Sequence, residues 1–382
     1  MSHPAIVVAA WNRPHSLARL LKSLRDAHYP EVKVPLVIAL DGEGDPEVVR
    51  LAEGFSWEYG PKEVIIQPQR RGLKSHILAC GDLSERFGRV VLLEDDLLVS
   101  PWFYQFATLA LAEYRAVEPI AGISLYCHAV MESNAFYPFW PVCGDQGVYF
   151  LQYAVSWGQA WTAEQWQEFR GWYAAHPEAG NGTAGFLEHW GENSWKKHFV
   201  RYLMATGRYF VCPGTAYATN FGDAGVHFPE ANAVFQVPLA QAWRAPAWRT
   251  YVAGEEAYDA SFEPELAWLR TLVPELGERE IEVDLHGQKD LGQSAKPWVL
   301  TSRPVRAALR SWGRRMKPIW QNLRYAVEGN DLHLARREDV LPRSEKDRLE
   351  MYIRWHRFYY PVPRLRSQVL YEFLKGIGAT KK

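Results

Sequence analysis

The stretch Arg89-Val90-Val91-Leu92-Leu93-Glu94-Asp95-Asp96 decides the fold, because a continuous apolar β-type run passes directly into three consecutive carboxylates. A strand without apolar–polar alternation is one covered on both faces, which calls for helices on either side of a sheet. Three adjacent carboxylates at its end repel one another. Two arrangements make them tolerable. One is an acidic turn capping the helix that follows, since Asp96 precedes Ser100-Pro101. The other is a hard divalent cation, Mg²⁺ or Mn²⁺, which takes carboxylate oxygens and also bridges phosphates.

Upstream, the same alternation of runs and helical stripes repeats. Ala5-Ile6-Val7-Val8-Ala9-Ala10 reads as a first strand that stops at Trp11-Asn12-Arg13-Pro14. Leu17, Leu20, Leu21 and Leu24 then recur at the spacing of a helix, with Pro14 and Ser16 as start signals. Pro35 to Leu40 is a second strand ending on Asp41-Gly42, Glu63 to Gln67 a third, and Ser75 to Phe87 a helix leading into the fourth. Strands alternating with helices specify an α/β fold with a parallel, doubly wound sheet and right-handed crossovers. Ligands bind such sheets at the carboxyl ends of the strands. Asn12/Arg13, Asp41 and the triplet would gather there, and that position favours the cation reading of Glu94, Asp95 and Asp96. In sugar transfer such an ion stabilises charge developing on a nucleoside diphosphate leaving group.

Further along, Thr162 caps a helix reaching about Ala175, Ser194 caps one ending near Gly207, and Tyr209 to Pro213 forms a strand. Residues 236–300 read as a connecting or wrapping segment. From Pro304 the pattern suggests short basic amphipathic helices broken at Pro318, Pro342, Pro361 and Pro363.

The segment from Leu92 to Phe106, Leu-Leu-Glu-Asp-Asp-Leu-Leu-Val-Ser-Pro-Trp-Phe-Tyr-Gln-Phe, resembles the N-acetylglucosaminyltransferase I family, with its valine-glutamate-aspartate-aspartate-leucine, a proline and paired aromatics. Pro4–Arg13, Pro35–Gly42 and Phe221–His227 extend the likeness, and a block like Glu192-Asn193-Ser194-Trp195 occurs in a set of bacterial sugar transferases. The resemblance spans roughly residues 4–230. It implies a GT-A fold, a Rossmann-like mostly parallel sheet flanked by helices, over residues 1–235. It also implies an inverting, metal-dependent transfer from a nucleotide-sugar. Arg13 would then lie near the diphosphate, and Asp41 would accept a hydrogen bond from the nucleobase. Asp96 would ligate Mn²⁺ or Mg²⁺, with Glu94 and Asp95 supporting it and touching ribose or sugar. His227 would complete the metal sphere, touch the diphosphate, or bond only within its loop. Arg70, Arg71 and Lys74 fit a diphosphate on charge alone, or form a solvated basic loop. Trp157 to Trp161 resembles a segment beneath the acceptor, where the rings stack on sugar or serve the core.

One departure concerns the catalytic base. The family places an aspartate just after a tryptophan at a helix start, and here Lys196 follows Trp195. A lysine near phosphates is protonated and is a poor base. Glu192, Glu188 or Asp223 would have to supply the carboxylate an inverting transfer needs, unless the alignment slips or the chain binds donor and transfers poorly. Glu192 is the first choice among these.

Composition sets further bounds. Hydrophobic residues at 48% allow a sizeable core, and 17 tryptophans in clusters such as Phe136-Tyr137-Pro138-Phe139-Trp140 suit either sugar stacking or packing. Four scattered cysteines without CxxC spacing argue against a zinc site or disulfide framework and for a reducing compartment. No leader is expected in Met1–Ala10, and no stretch reaches the roughly 18 apolar residues of a membrane span, so a cytoplasmic chain is expected. Residues 301–382 carry 19 Lys/Arg against 8 Asp/Glu, whereas the rest carries 24 against 36. The basic appendage suits the anionic inner face of a membrane, where a lipid-linked saccharide acceptor resides, or caps the acidic body. Nucleic acid is not the expected partner, because no nucleic-acid fold accompanies the patch. Two other functions compete. A nucleotidyltransferase would want a glycine-rich loop after the first strand, which Trp11-Asn12-Arg13-Pro14 lacks, and a non-catalytic nucleotide-sugar module would fit the missing aspartate.

Overall fold

The apolar runs become strands because each is buried on both faces, and the leucine stripes become the helices that bury them. A computed structural model of the chain describes residues 3–133, 137–143, 147–177, 185–224, 230–252 and 254–360. Its strands are β1 (Ala5–Ala10), β2 (Leu36–Leu40), β3 (Lys62–Ile66), β4 (Arg89–Glu94), β5 (Leu97–Val99), β6 (Ile120–Ser124), β7 (Val148–Leu151) and β8 (Gln159–Thr162). They continue as β9 (Tyr209–Pro213), β10 (Ala218–Asn220), β11 (Ala257–Tyr258), β12 (Ile281–Asp284), β13 (Trp298–Thr301), β14 (Arg310–Trp312) and β15 (Leu332–Arg336). The helices are α1 (Pro14–Arg25), α2 (Pro46–Gly54), α3 (Leu73–Phe87), α4 (Phe103–Glu113), α5 (Ala163–Ala175), α6 (Trp195–Thr206), α7 (Leu266–Leu272), α8 (Gln321–Arg324) and α9 (Glu345–Tyr359).

The main sheet runs β11-β7-β9-β6-β8-β4-β1-β2-β3 among the described residues. Pairing is parallel for β1 with β2 and β4, β2 with β3, β6 with β9 and β7 with β11. The short strand β8 runs antiparallel to both β4 and β6, and β7 runs antiparallel to β9. The sheet is therefore α/β and mostly parallel, as the runs predict. Helices α1, α2 and α4 cover one face, where Leu17, Leu20 and Leu24 are fully buried, and α3, α5 and α6 cover the other. Each such leucine contributes about 1.5–3 kcal/mol by leaving water.

The tryptophan-rich stretches are mainly core. Tyr137, Phe139, Trp161 and Trp166 are buried, with Trp161 stacked on Trp166 at 4.5 Å between centroids, while Trp140 is exposed. Gly81 of α3 lies against the Trp166 ring, so a Cβ there would overlap the indole. Alanine favours a helix over glycine by about 1 kcal/mol, but overpacking a ring clamped this way costs about 1–3 kcal/mol. Gly81→Ala is therefore expected to lower stability in urea unfolding, and a gain in stability would show that the ring gives way.

Two differences from the sequence reading concern the second half. Residues 236–300 contribute the edge strand β11 and two strands of a second sheet, ordered β12-β13-β15-β14. Residues 301–343, expected as short basic helices, instead form β14, β15 and the brief α8. Leu332 and Leu334 are buried in β15 against β13 and β14, a tertiary pairing that overrides the helical tendency of a charge-rich stretch. One basic helix, α9, does form, started by a Ser344/Asp347 capping box. It packs on the body through Trp355 and Tyr359, which stack near Tyr137 and His286. Pro361 and Pro363 lie outside the described residues.

Candidate functional site

The site begins where β1 and β4 end side by side. Parallel pairing sets Ala9 against Glu94, so the segments leaving both strands emerge together. Arg13 is the N-cap residue of α1, and its guanidinium forks across the triplet. It forms an ion pair with Asp95, and its Nη1 donates to Asp96 Oδ2 at 2.9 Å. Burial works against the Arg13 charge, yet Asp95 and Asp96 hold its pKa above the ordinary value. Burial, helped by the Asp96 charge, raises Asp95 to about 6 against the opposing pull of Arg13. Burial, reinforced by Asp96, pushes Glu94 up to about 8, and its Oε1 has no hydrogen-bond partner among the described residues.

Asp41, at the end of β2, is buried and accepts backbone N–H bonds from Gly42 at 3.0 Å, Arg71 at 2.7 Å and Gly72 at 3.0 Å. Its carboxylate thus clips the basic loop to the sheet edge, a role the turn signal Asp41-Gly42 does not disclose. Gly42 has to be glycine here, because a Cβ would strike the backbone of Gln69. The Arg70 guanidinium lies over Trp11 at 3.7 Å, the Arg71 side chain is exposed, and Lys74 Nζ donates to the Glu192 carbonyl at 2.8 Å. Asp41→Ala would remove the acceptor of three N–H groups, two of them in a loop that water reaches. A loss of about 2 kcal/mol is expected in urea unfolding. Unaltered stability would mean that the loop does not depend on the clip.

A second wall comes from residues 218–224. Pairing of β10 with β5 sets Asn220 opposite Leu97, and Phe221 N–H donates to the Asp96 carbonyl at 2.9 Å. Asp223 then meets the first turns of α1, with an ion pair to Arg19 and a 2.6 Å bond from Ser16 Oγ. Burial opposes its charge, but Arg19 and Ser16 hold its pKa below the ordinary range. His227 lies outside the described residues.

The third wall is the start of α6, capped by Ser194. Lys196 and Lys197 are both buried in a first turn, where the helix dipole disfavours cations, so each needs a carboxylate. Lys197 takes Glu192, whose side chain is 70% exposed and whose pKa is lowered by that bond. Lys196 takes Glu132 at 2.7 Å, and its ammonium also faces the rings of Tyr153 at 4.6 Å and Trp157 at 5.2 Å. His128 Nε2 lies 3.2 Å from the other Glu132 oxygen. Burial opposes the Glu132 charge, but Lys196 and His128 lower its pKa, while burial keeps His128 uncharged. The sequence reading missed Glu132 and His128. Their signal is faint: one histidine inside the apolar stretch Leu125–Met131 and one glutamate directly after it, four positions on.

The structure thus brings together Arg13, Glu94, Asp95, Asp96 and Asp223, with the clip of Asp41 and Arg71 alongside. Lys74 and Glu192 join at the α3–α6 side, and Glu188 touches Gln293 across a separate cleft. Among the described residues no group of three His, Cys, Asp or Glu is arranged to hold a metal alone.

No family model matches the chain, and no curated protein sequence does. Solved structures do resemble it. S. aureus TarS 1-349 in complex with UDP-GlcNAc matches at 9% identity over 56% of this chain and 57% of that one, with a TM-score of 0.37. Mannosyltransferase PcManGT from Pyrobaculum calidifontis, in complex with GDP-Man and Mn²⁺, matches at 14% identity over 59% of both chains, TM-score 0.38. GalNAc-T7 with UDP, GalNAc and Mn²⁺ matches at 13% over 56% of this chain and 43% of that one, TM-score 0.40. The chain spans less than two thirds of each. All three are GT-A glycosyltransferases, and none singles out the N-acetylglucosaminyltransferase I family.

Proposed function

We propose that the chain is an inverting, metal-dependent glycosyltransferase. It moves a sugar from a nucleotide-sugar, a UDP-sugar in the first instance, to a hydroxyl of a saccharide or lipid-linked saccharide. The observation that carries this reading is the fork of Arg13 across Asp95 and Asp96 at the tips of two adjacent parallel strands. A cation held between carboxylates at this edge is what a diphosphate and its counter-ion would rearrange.

The residues fit Mn²⁺ or Mg²⁺ in the manner of a donor-dependent ion. Glu94 brings a buried oxygen with no partner among the described residues, beside the carboxylates of Asp95 and Asp96. Such ions are commonly held by one or two carboxylates plus substrate phosphates, so no complete protein cage is required. Asp96 would be the direct ligand, with His227 as a further candidate, and the ion would neutralise charge on the leaving diphosphate. Arg13 swings its fork toward the phosphates, where bidentate contact is strongest. Asp41 positions the loop bearing Arg71, and with it Lys74 in the first turn of α3, beside the donor, and Glu94 and Asp95 receive ribose or sugar hydroxyls.

Glu192 and Asp223 are the candidates for the base, and both are held ionised at neutral pH, the state that accepting a proton requires. Glu192→Gln and Asp223→Asn separate them. The variant that loses transfer while keeping donor affinity marks the base, and full transfer in both removes both from the role.

A second reading, a donor-binding module without transfer, is favoured by Lys196 locked to Glu132 where the resemblance calls for an aspartate. Calorimetry with UDP-sugars and Mn²⁺, followed by donor turnover, decides. Metal-dependent binding without transfer or hydrolysis favours the module, and no binding of any nucleotide-sugar sinks both readings. No helix among the described residues is long and apolar enough to cross a membrane. We propose a cytoplasmic protein whose basic region 301–382 meets the anionic inner face of the membrane.

A further inference from the structure

A second cleft, of about 300 Å³, opens between the β7–β11 edge of the main sheet, helix α6 and the second sheet. That volume is of the size that holds a small ligand. Its chemistry differs from that of the triplet, because its two most buried cations are already paired within the protein. Lys289 is paired with Asp259 and, at 2.8 Å, with Glu282, and Arg303 Nε meets Asp284 at 3.0 Å. Glu263 is half-satisfied. Its Oε1 accepts from the His286 backbone N–H at 2.8 Å and lies 3.0 Å from His286 Nδ1. Its Oε2 has no partner among the described residues, although the residue is only 1% exposed and lines the cleft. A buried carboxylate oxygen left in this state calls for a donor.

The lining excludes several occupants. Carboxylates outnumber the two lysines, so a phosphate or another anion is repelled. The wall is too polar for an aliphatic ligand, yet Phe186 presents a ring to it. O–H or N–H donors on a small body with C–H faces describe a sugar unit. The cleft also adjoins the proposed transfer site. Ser133, on its lining, directly follows Glu132, the partner of Lys196. Tyr153 lies 4.6 Å from Lys196 Nζ on one side and 6.3 Å from the Phe186 ring on the other. A single aromatic layer therefore separates the two sites.

We infer that this cleft is an acceptor subsite, holding an uncharged or amine-bearing sugar unit of the saccharide to be extended, beyond the unit that receives the transferred sugar. The acceptor role rests on the glycosyltransferase reading, whereas saccharide binding in the cleft does not.

Calorimetric titration of the full chain, without nucleotide, tests it with three tetramers: of N-acetylglucosamine, of glucosamine and of galacturonate. The first or second is expected to bind and the third not. Phe186→Ala and, independently, Gln288→Ala at the rim are expected to weaken that binding at least tenfold, while affinity for UDP-sugars with Mn²⁺ stays within twofold. Failure of both the neutral and the amine tetramer to bind overturns the inference. So does equal binding of galacturonate, or binding that neither substitution changes. Loss of UDP-sugar affinity in both variants also overturns it, because the cleft would then belong to the donor site. If the tetramers bind as expected and no nucleotide-sugar binds the unaltered chain, the glycosyltransferase reading falls and the cleft stands as a saccharide site.

Discussion

Asp96→Ala is expected to abolish the Mn²⁺-dependent part of UDP-sugar binding, read by calorimetry as a loss of ~100-fold or more. Residues that merely orient a metal ligand are worth 10–100-fold in affinity, so a direct ligand should exceed that range. The substitution also takes one of the two carboxylates from the Arg13 fork, leaving Asp95 as its partner. Arg13 is then freer to meet the diphosphate, so the residual metal-free affinity should be retained or slightly raised. Loss of the metal-dependent component with survival of the metal-free one distinguishes this from general damage. Identical binding in the variant and the parent chain, with and without Mn²⁺, would mean that the triplet only shapes the turn before β5.

Lys196→Met is expected to destabilise the chain by about 3–5 kcal/mol, because it leaves the Glu132 carboxylate buried without its cation. Both side chains are largely shielded, at 11% and 10% exposure, so solvent cannot replace the lost partner. The double variant Lys196→Met/Glu132→Leu should recover most of that loss, since removing both charges eliminates the unpaired one. Urea unfolding of the two single variants and the double gives the coupling. Additive losses would show that the pair is not energetically linked. A stable double variant that transfers sugar would further show that the buried pair is not needed for chemistry.

Much of the sheet was legible because its signals are local. The runs at Ala5–Ala10, Leu36–Leu40 and Arg89–Glu94 are continuous, and the stripe Leu17–Leu24 has one period. The caps Thr162 and Ser194 act within three residues and were read correctly. What escaped depends on distance along the chain. Arg13 and Asp95 are separated by 82 positions and Lys196 and Glu132 by 64, so no window reveals either pair. Asp41 was legible as a polar strand end, but its use as a clip depends on how the loop at Gly72 folds back. The strands β14 and β15 are short and flanked by arginines, and only their pairing with β13 makes them strands. Tyr137, Phe139 and Trp161 illustrate a similar limit, since ring content does not tell a sugar platform from a core.

The order of the main sheet has a consequence for how the chain can be made and cut. Its edge strand β11, at Ala257–Tyr258, pairs with β7, at Val148–Leu151, and Gln152 N–H donates to the Tyr258 carbonyl at 2.9 Å. A nascent chain released at residue 235 would leave the backbone of β7 open along one side, an uncapped template for pairing with other chains. Synthesis must therefore run past Tyr258 before the N-terminal half is sealed against self-association. An expression fragment meant to isolate that half should extend through this strand.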